Sequence, residues 1–313
     1  MAMANSQITD TELSALQTEQ VADPSLALDQ MDSTRLVDTL VRSQITALEN
    51  TAREADSIAK AVDAAADRLS QSGHGRLVML GAGASGRLAV QDGAELWPTF
   101  GWPHERLILN IAGGEQALLR SLEGAEDDIE LACRECADNS IGPLDVVLGV
   151  AASGRSPYTV HWIKQARQVG ALTIAFSNNE GSPLLDNAEY KVVLRSGAEV
   201  LAGSTRLAAG TAQKAALNAF STALMVRLNR TWGQLMVDMA AKNTKLHSRR
   251  RAMLAQIHPG LSQARANAAL TEAGGWVKLA ALLSFGLEKP DALQLLERYD
   301  GSLRHALEHL DNV

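Results

Sequence analysis

The stretch Arg76-Leu-Val-Met-Leu80-Gly81-Ala82-Gly83-Ala84-Ser85-Gly86-Arg87 decides how the chain is to be read. Four apolar residues follow Arg76 without a polar break and run into glycine, alanine and serine. A short apolar run closed by turn residues fits a strand buried on both faces, the kind found in a parallel sheet. The pattern recurs at Arg106-Leu-Ile-Leu-Asn-Ile111 before Ala112-Gly113-Gly114, and at Asp145-Val-Val-Leu-Gly-Val150 before Ala151-Ala152-Ser153-Gly154. It returns at Ala171-Leu-Thr-Ile-Ala-Phe176 before Ser177-Asn178-Asn179, and at Tyr190-Lys-Val-Val-Leu194. Helical patterns separate most of these runs. The expectation is an α/β fold with a parallel sheet covered on both faces. Such sheets bind ligands beyond the carboxyl ends of their strands, where the Gly- and Ser-rich turns fall.

Outward from the strands, residues 1–31 are polar, contain Pro24, and read as an extended, partly ordered arm. Residues 33–72 read as helical. Leu36, Leu40, Ile45 and Leu48 share one spacing, and Ile58, Val62 and Leu69 continue it in a second segment. Ser33 is a candidate cap for the first helix, and Thr51 with Glu54 has capping-box spacing for the second. Beyond the last strand, residues 205–227 form an Ala-rich helical stretch that continues from Met236 to Leu246, and Ser248 to Ile257 is a basic helix. Pro259-Gly260 marks a break, and three short helices follow at 262–273, 276–285 and 290–309, the last interrupted at Asp300-Gly301. The domain boundaries read from this are an arm and helix at 1–50, the sheet domain at 51–250, and a small three-helix domain at 251–313.

The chain has 313 residues, 46% of them hydrophobic and 4% aromatic, so its core relies on aliphatic packing. A net charge of −7 argues against nucleic-acid binding, which needs a basic footprint. It does not exclude an anionic ligand, because helix-start N–H groups bind phosphate whatever the net charge. No apolar run approaches the length of a membrane span. Met1 to Asp10 lack the basic and apolar regions of a signal peptide, so a cytoplasmic location is expected. The two cysteines, Cys133 and Cys136, have redox or zinc spacing but no second ligand pair, and read as two thiols of a polar helix. No metal-ligand spacing is present.

The first loop matches the G-x-G-x-x-G turn of dinucleotide-binding folds. That turn calls for an acid at the tip of the second strand, and Asn110-Ile-Ala-Gly-Gly114 supplies none. The third strand ends in a second loop, Ala152-Ser153-Gly154-Arg155-Ser156-Pro157, so Ser-Gly-Arg occurs at two strand-to-helix turns. Glycine admits close backbone approach, and serine hydroxyls with helix-start amides bind phosphate oxygens or sugar hydroxyls. Two such loops on one sheet fit a ligand with a phosphate and several hydroxyls. The blander reading is that glycine and serine only make the turns and arginine pairs with surface acids. A third cluster, Gly203-Ser204-Thr205-Arg206, opens the long helix, with Lys214 and Asn218 further along it. It is either a cap or another anion-ready helix start.

Carboxylates are the leading acid/base candidates. Glu95 lies on the helix opened by the first loop, and Glu115 follows Gly113-Gly114 at the tip of the second strand. Two carboxylates beside a sugar suit proton removal next to a carbonyl and proton delivery to a leaving oxygen. His161 and His247 are weaker candidates, His161 sitting beside Trp162 as a structural residue would.

At these residues the chain resembles the sugar isomerase (SIS) domain and, more narrowly, the N-acetylmuramic acid 6-phosphate etherase family. The resemblance rests on residues 81–88 and 151–158, together with Thr18-Glu19, Ile111-Ala-Gly-Gly-Glu115, Glu123-Gly-Ala-Glu-Asp127 and Gly203-Ser-Thr-Arg206. Ala209-Gly-Thr-Ala-Gln-Lys214, Leu235-Met-Val-Asp238 and Asn243-Thr-Lys-Leu246 add to it. It implies a flavodoxin-like parallel-sheet SIS sandwich with a small C-terminal helical bundle, a homodimer, and a phosphorylated amino sugar as ligand, without metal or redox cofactor. The implied ligand contacts are Ala84, Ser85, Gly86, Arg87, Ser153, Gly154, Ser156, Ser204, Thr205 and Lys214. The implied reaction splits the D-lactyl ether at carbon 3 of the sugar by elimination and water addition. Glu95 would protonate the departing oxygen, and Glu115 would be the base at carbon 2. An isomerase or a sugar-phosphate sensor on the same scaffold is the alternative. The sequence departs from the family pattern at Ala84, where the family has threonine, at Gly93-Ala94 for Ala-Ser, and at Leu207-Ala208 for Met-Lys.

Overall fold

The computed structural model describes residues 16–239 and 244–310, with side chains of 244–246 outside the description. Residues 1–15 of the N-terminal arm, and Asn243 with the side chains of Thr244 to Leu246, therefore lie outside the described residues. Two helices come first, α1 (Ser33–Ala52) and α2 (Ala55–Ser70). The cap of α1 is Asp32, whose carboxylate accepts the Arg35 N–H at 3.0 Å, and not Ser33. Thr51 donates to the Ala47 carbonyl inside α1 at 2.8 Å and caps nothing. Of the residues sharing helical spacing in α1, Leu36 and Leu40 are half-buried. Ala47 is buried, whereas Ile45 and Leu48 are exposed together with Val37 and Val41.

The strands fall where the apolar runs place them: β1 (Leu77–Gly81), β2 (Leu107–Ile111), β3 (Val146–Ala151), β4 (Leu172–Ser177) and β5 (Tyr190–Val193). All pair in parallel in the order β2-β1-β3-β4-β5. Between them come α3 (Gly83–Ala94), α4 (Leu96–Phe100), α5 (Gln116–Leu119), α6 (Ile129–Asp138), α7 (Pro157–Gln168) and α8 (Pro183–Asn187). β1, β3 and β4 are buried throughout, which is why they read as unbroken apolar runs. Asp145 fastens the foot of the sheet. Its carboxylate accepts from the Arg76 guanidinium at 2.7 and 3.0 Å and from the N–H groups of Arg76 and Gly142 at 3.0 Å.

The order reverses at β1. The chain goes from β1 to β2 on one side, then returns to β3 on the other, with Gly81 registered against Val150. A crevice opens at such a switch point beyond the carboxyl ends of the strands. The topology thus puts the 81–87 and 151–157 loops side by side.

By its internal contacts the chain divides into two units, one running to Ala94 and resuming over Glu105–Ser221, the other taking Glu95–His104 and everything from Thr222. This division passes inside the long helix α9 (Ala208–Arg227) and does not coincide with the sequence boundaries at 50 and 250. The second unit carries α10 (Thr244–Ile257), α11 (Gln263–Glu272), α12 (Val277–Ser284), α13 (Lys289–Arg298) and α14 (Leu303–Leu310). The third expected C-terminal helix is therefore two, parted where Asp300 and Gly301 take left-handed φ angles of 49° and 75°. Leu254, Val277, Leu282, Ala292, Leu296 and Leu303 fill their common core. The buried ion pair Lys278–Asp238, at 2.6 Å, ties the segment before α10 to α12.

Candidate functional site

The two loops are built differently around the same tripeptide. In the first, Ser85-Gly86-Arg87 already lies within the first turn of α3. Gly83 turns the chain with φ at 53°, and the Gly86 N–H closes onto the Ala82 carbonyl at 3.0 Å. A Cβ on Gly86 would lie 2.6 Å from the Gly81 carbonyl oxygen and 2.8 Å from Ile111 Cγ1. Gly86 is thus needed for helix-on-strand packing. Arg87 turns away and donates from Nε to the Ala117 carbonyl at 2.8 Å and from an Nη to the Arg120 carbonyl at 2.9 Å. Ala117 is the second residue of the single-turn α5 and Arg120 directly follows it, so both carbonyls are among the last four, which lack helical partners. The expected ligand role of Arg87 gives way to this clamp.

In the second loop the tripeptide precedes the helix. Ser153 Oγ accepts the Arg155 N–H at 3.1 Å, and Gly154 has φ at 65°. A Cβ there would come within 2.2 Å of Ser182 Oγ, so Gly154 is a packing residue as well. Ser156 stands just before α7, which opens with Pro157. Its hydroxyl reaches the Glu126 carbonyl at 3.3 Å, fastening the turn at Ala125–Asp127 to this loop. Asn179, at the tip of β4, braces the loop from behind through the Ala152 carbonyl at 2.9 Å and Thr18 Oγ1 at 3.2 Å. Thr18 is fully buried. The end of the N-terminal arm is thereby a fixed wall.

These pieces enclose a cleft of about 350 Å³ beyond the carboxyl ends of β1 and β3. Among the sequence candidates, Ala84, Ser85, Ser153, Ser156 and Thr205 line it. Gly83, Ala84 and Ser85, which open α3, line it, and the first N–H groups of a helix have no intrahelical acceptors, an arrangement suited to phosphate. Gly86, Arg87, Gly154, Ser204 and Lys214 are not among the lining residues. Lys214 is exposed and bonds Asn218 at 3.0 Å, while Asn218 bonds Asp92 in turn.

Four charged residues that sequence reasoning did not select also line the cleft: Glu19, Glu126, Asp127 and Arg155. Partial burial of the carboxyl raises the pKa of Glu126 above the ordinary value, and the like charge of Asp127 raises it further. The Nε of Arg155 is buried without a hydrogen-bond partner. All four lie within stretches that carry the family resemblance, and none lies in a periodic pattern. Glu115 is exposed at the position before α5 and is not among the lining residues. Glu95 stands exposed at the junction of α3 and α4, where the chain enters the second unit.

Thr205 reaches the cleft because a third helix start is anchored. The buried Glu199 carboxylate accepts the N–H groups of Ala208 and Ala209 at 3.0 and 2.9 Å. Burial raises its pKa, partly offset by these two bonds. Ala208 itself is buried, so the family's lysine is replaced at a packed position and not in the cleft wall. Gly93 is likewise a packing change. A Cβ there would meet Leu109 Cδ2 at 2.3 Å. Of the departures from the family pattern, only Ala84 faces the cleft. His161 bonds the Pro157 carbonyl at 2.9 Å within α7, as a structural residue does. Burial lifts the buried Cys136 thiol to about 11, away from thiolate chemistry.

A five-stranded parallel sheet whose cleft at the switch point is lined by serines and helix starts defines an SIS-domain protein. The SIS domain family matches residues 134–223, and the glucokinase regulatory protein N-terminal SIS domain matches residues 57–167. The chain belongs to the N-acetylmuramic acid 6-phosphate etherase family. It is 45% identical over 291 residues to the protein of that name from Deinococcus radiodurans, covering 93% of this chain and 94% of that one. It is 42% identical over 299 residues to the one from Rubrobacter xylanophilus, covering 95% and 98%. Among solved structures, a phosphoheptose isomerase from Francisella tularensis aligns over 64% of this chain and 100% of its own, at 20% identity and a TM-score of 0.47.

Proposed function

We propose that this chain is a carbon–oxygen lyase that cleaves the D-lactyl ether of N-acetylmuramic acid 6-phosphate, giving N-acetylglucosamine 6-phosphate and D-lactate. The observation that carries the reading is 45% identity to a named etherase over nearly the whole of both chains. The cleft supports it. Neutral hydroxyls and two helix starts serve the phosphate, and a carboxylate with a raised pKa stands in the same wall.

With the sugar ring open, the carbon-1 aldehyde acidifies the carbon-2 proton. A carboxylate base removes it, the electron pair forms the carbon-2 to carbon-3 double bond, and the carbon-3 to oxygen bond breaks. The departing lactate oxygen takes a proton. Water then adds at carbon 3 and carbon 2 is reprotonated. Glu126 is the base that the geometry favours, in place of Glu115, because it lines the cleft and its raised pKa brings it nearer the working pH. For the acid that protonates the leaving oxygen and later activates water, Glu95 is assigned on the resemblance alone, since it is not among the cleft-lining residues.

The protein should release D-lactate from N-acetylmuramic acid 6-phosphate in an assay coupled to D-lactate dehydrogenase. No lactate, with turnover of another hexose phosphate, would reject the etherase reading. Binding of a hexose phosphate without any turnover would favour the sensor reading, which the matched glucokinase regulatory protein domain keeps open.

We further propose a cytoplasmic homodimer. No helix among the described residues is long and apolar enough to cross a membrane. Val37, Val41, Ile45 and Leu48 leave an apolar stripe exposed along α1, at the spacing that helix pairing uses. Light scattering at the mass of a single chain at micromolar concentration would reject the dimer.

A further inference from the structure

We propose that Arg155 is the residue that recognises the carboxylate of the substrate's lactyl ether, and so distinguishes a carboxylated sugar phosphate from the sugar phosphate left after cleavage. This rests on the etherase reading above. Three observations lead to it. First, the cleft is lined by three acids, Glu19, Glu126 and Asp127, against one basic side chain, Arg155. Second, the buried Nε of Arg155 has no partner, although a buried guanidinium N–H is costly to leave unpaired. Third, its counterpart Arg87, in the same Ser-Gly-Arg context, has Nε and an Nη satisfied by carbonyls. Arginine at such a turn can be tied down, and Arg155 Nε is not.

The chemistry of the ligand accounts for the unpaired N–H. N-acetylmuramic acid 6-phosphate carries two anionic groups, a phosphate at carbon 6 and a carboxylate on the ether at carbon 3. Helix starts and hydroxyls handle phosphate without a full charge. Ser85, Ser153, Ser156 and Thr205, with the first turns of α3 and α7, supply such neutral donors here. A carboxylate entering a cleft already lined by three acids is repelled unless a cation meets it. Arginine does this best, since Nε–H and one Nη–H form a fork that matches the two oxygens of a carboxylate. Arg155 lines the cleft, and its buried Nε–H, which nothing in the protein accepts, gains a partner when the guanidinium turns its Nε–Nη edge to that carboxylate.

The experiment compares wild type with Arg155→Ala and Arg155→Lys, reading kcat/KM for N-acetylmuramic acid 6-phosphate and the inhibition constant of N-acetylglucosamine 6-phosphate. The second compound has the phosphate and lacks the carboxylate. Arg155→Ala should lower kcat/KM about 10- to 100-fold, mainly through KM, with the inhibition constant unchanged within about twofold. Arg155→Lys, which keeps the charge without the fork, should fall between. Equal weakening towards both compounds would make Arg155 a phosphate ligand and overturn the proposal, and so would no change towards either. If Arg155→Ala melts lower than wild type, the Arg155→Lys comparison decides by the same criteria. Failure of wild type itself to release lactate would instead bring down the etherase reading, and this proposal with it.

Discussion

The loops after β1 and β3 share Ser-Gly-Arg, yet their tripeptides do different work. In the first, the tripeptide sits inside α3, so its glycine lies flat on β1 and its arginine points back along the helix to α5. In the second, it sits in the turn before α7, so its glycine packs on Ser182 and its arginine lines the cleft. A shift of a few residues relative to the helix start changes which way each side chain points. What a motif does depends on its register against the helix it opens, not on its letters alone.

The comparison makes the second loop the chemical side of the cleft, because Ser156 holds the Glu126 turn. Replacing Glu126 by Gln should therefore have the largest effect, a loss of about 10²- to 10⁴-fold in lactate release. The acid limb of kcat/KM is informative as well. A base acts only when ionised, and burial and Asp127 both raise the Glu126 pKa, so activity should fall away at a higher pH than for an ordinary glutamate. Asp127→Asn removes the like charge, lowers that pKa and should move the acid limb to lower pH. A limb that stays in place in Asp127→Asn would assign the base to another group.

The first loop should respond in stability. Gly86→Ala puts a Cβ against the backbone of Gly81, which cannot yield cheaply, and is expected to cost about 3 kcal/mol in urea unfolding. Less than about 0.5 kcal/mol would mean that α3 lifts off β1 freely. The smallest effect is expected of Arg87→Ala. Loss of its two bonds to carbonyls should cost about 1 to 2 kcal/mol while leaving KM near wild type. A large rise in KM without loss of stability would make Arg87 a ligand residue after all, and the contrast with Arg155 would vanish.

Much of the fold was legible because its signals are local. A strand buried on both faces must be apolar at every position, so β1, β3 and β4 announce themselves, and turn residues mark their ends. The break at Asp300-Gly301 was legible for the same reason. The face of α1 was not. Helical spacing says that residues share a side but not which side meets the core, and Ile45 and Leu48 are exposed. The site was half legible. Ser85, Ser153, Ser156 and Thr205 lie in the turns leading into helices or at their starts, which the sequence marks, and they line the cleft. Glu126, Asp127 and Arg155 belong to turns whose direction no periodicity reports.

By itself, then, the sequence determined a parallel α/β sheet with phosphate-ready turns at its strand ends, since strand burial and helix capping are properties of consecutive residues. The tertiary structure alone decided how the Gly81 and Ala151 loops are placed. The strand order brings them together, and the carbonyls of Ala117 and Arg120, 30 and 33 residues from Arg87, occupy one arginine, while the other's buried Nε has no partner. A hydrogen-bond partner that far along the chain is fixed by packing, and no local pattern encodes it.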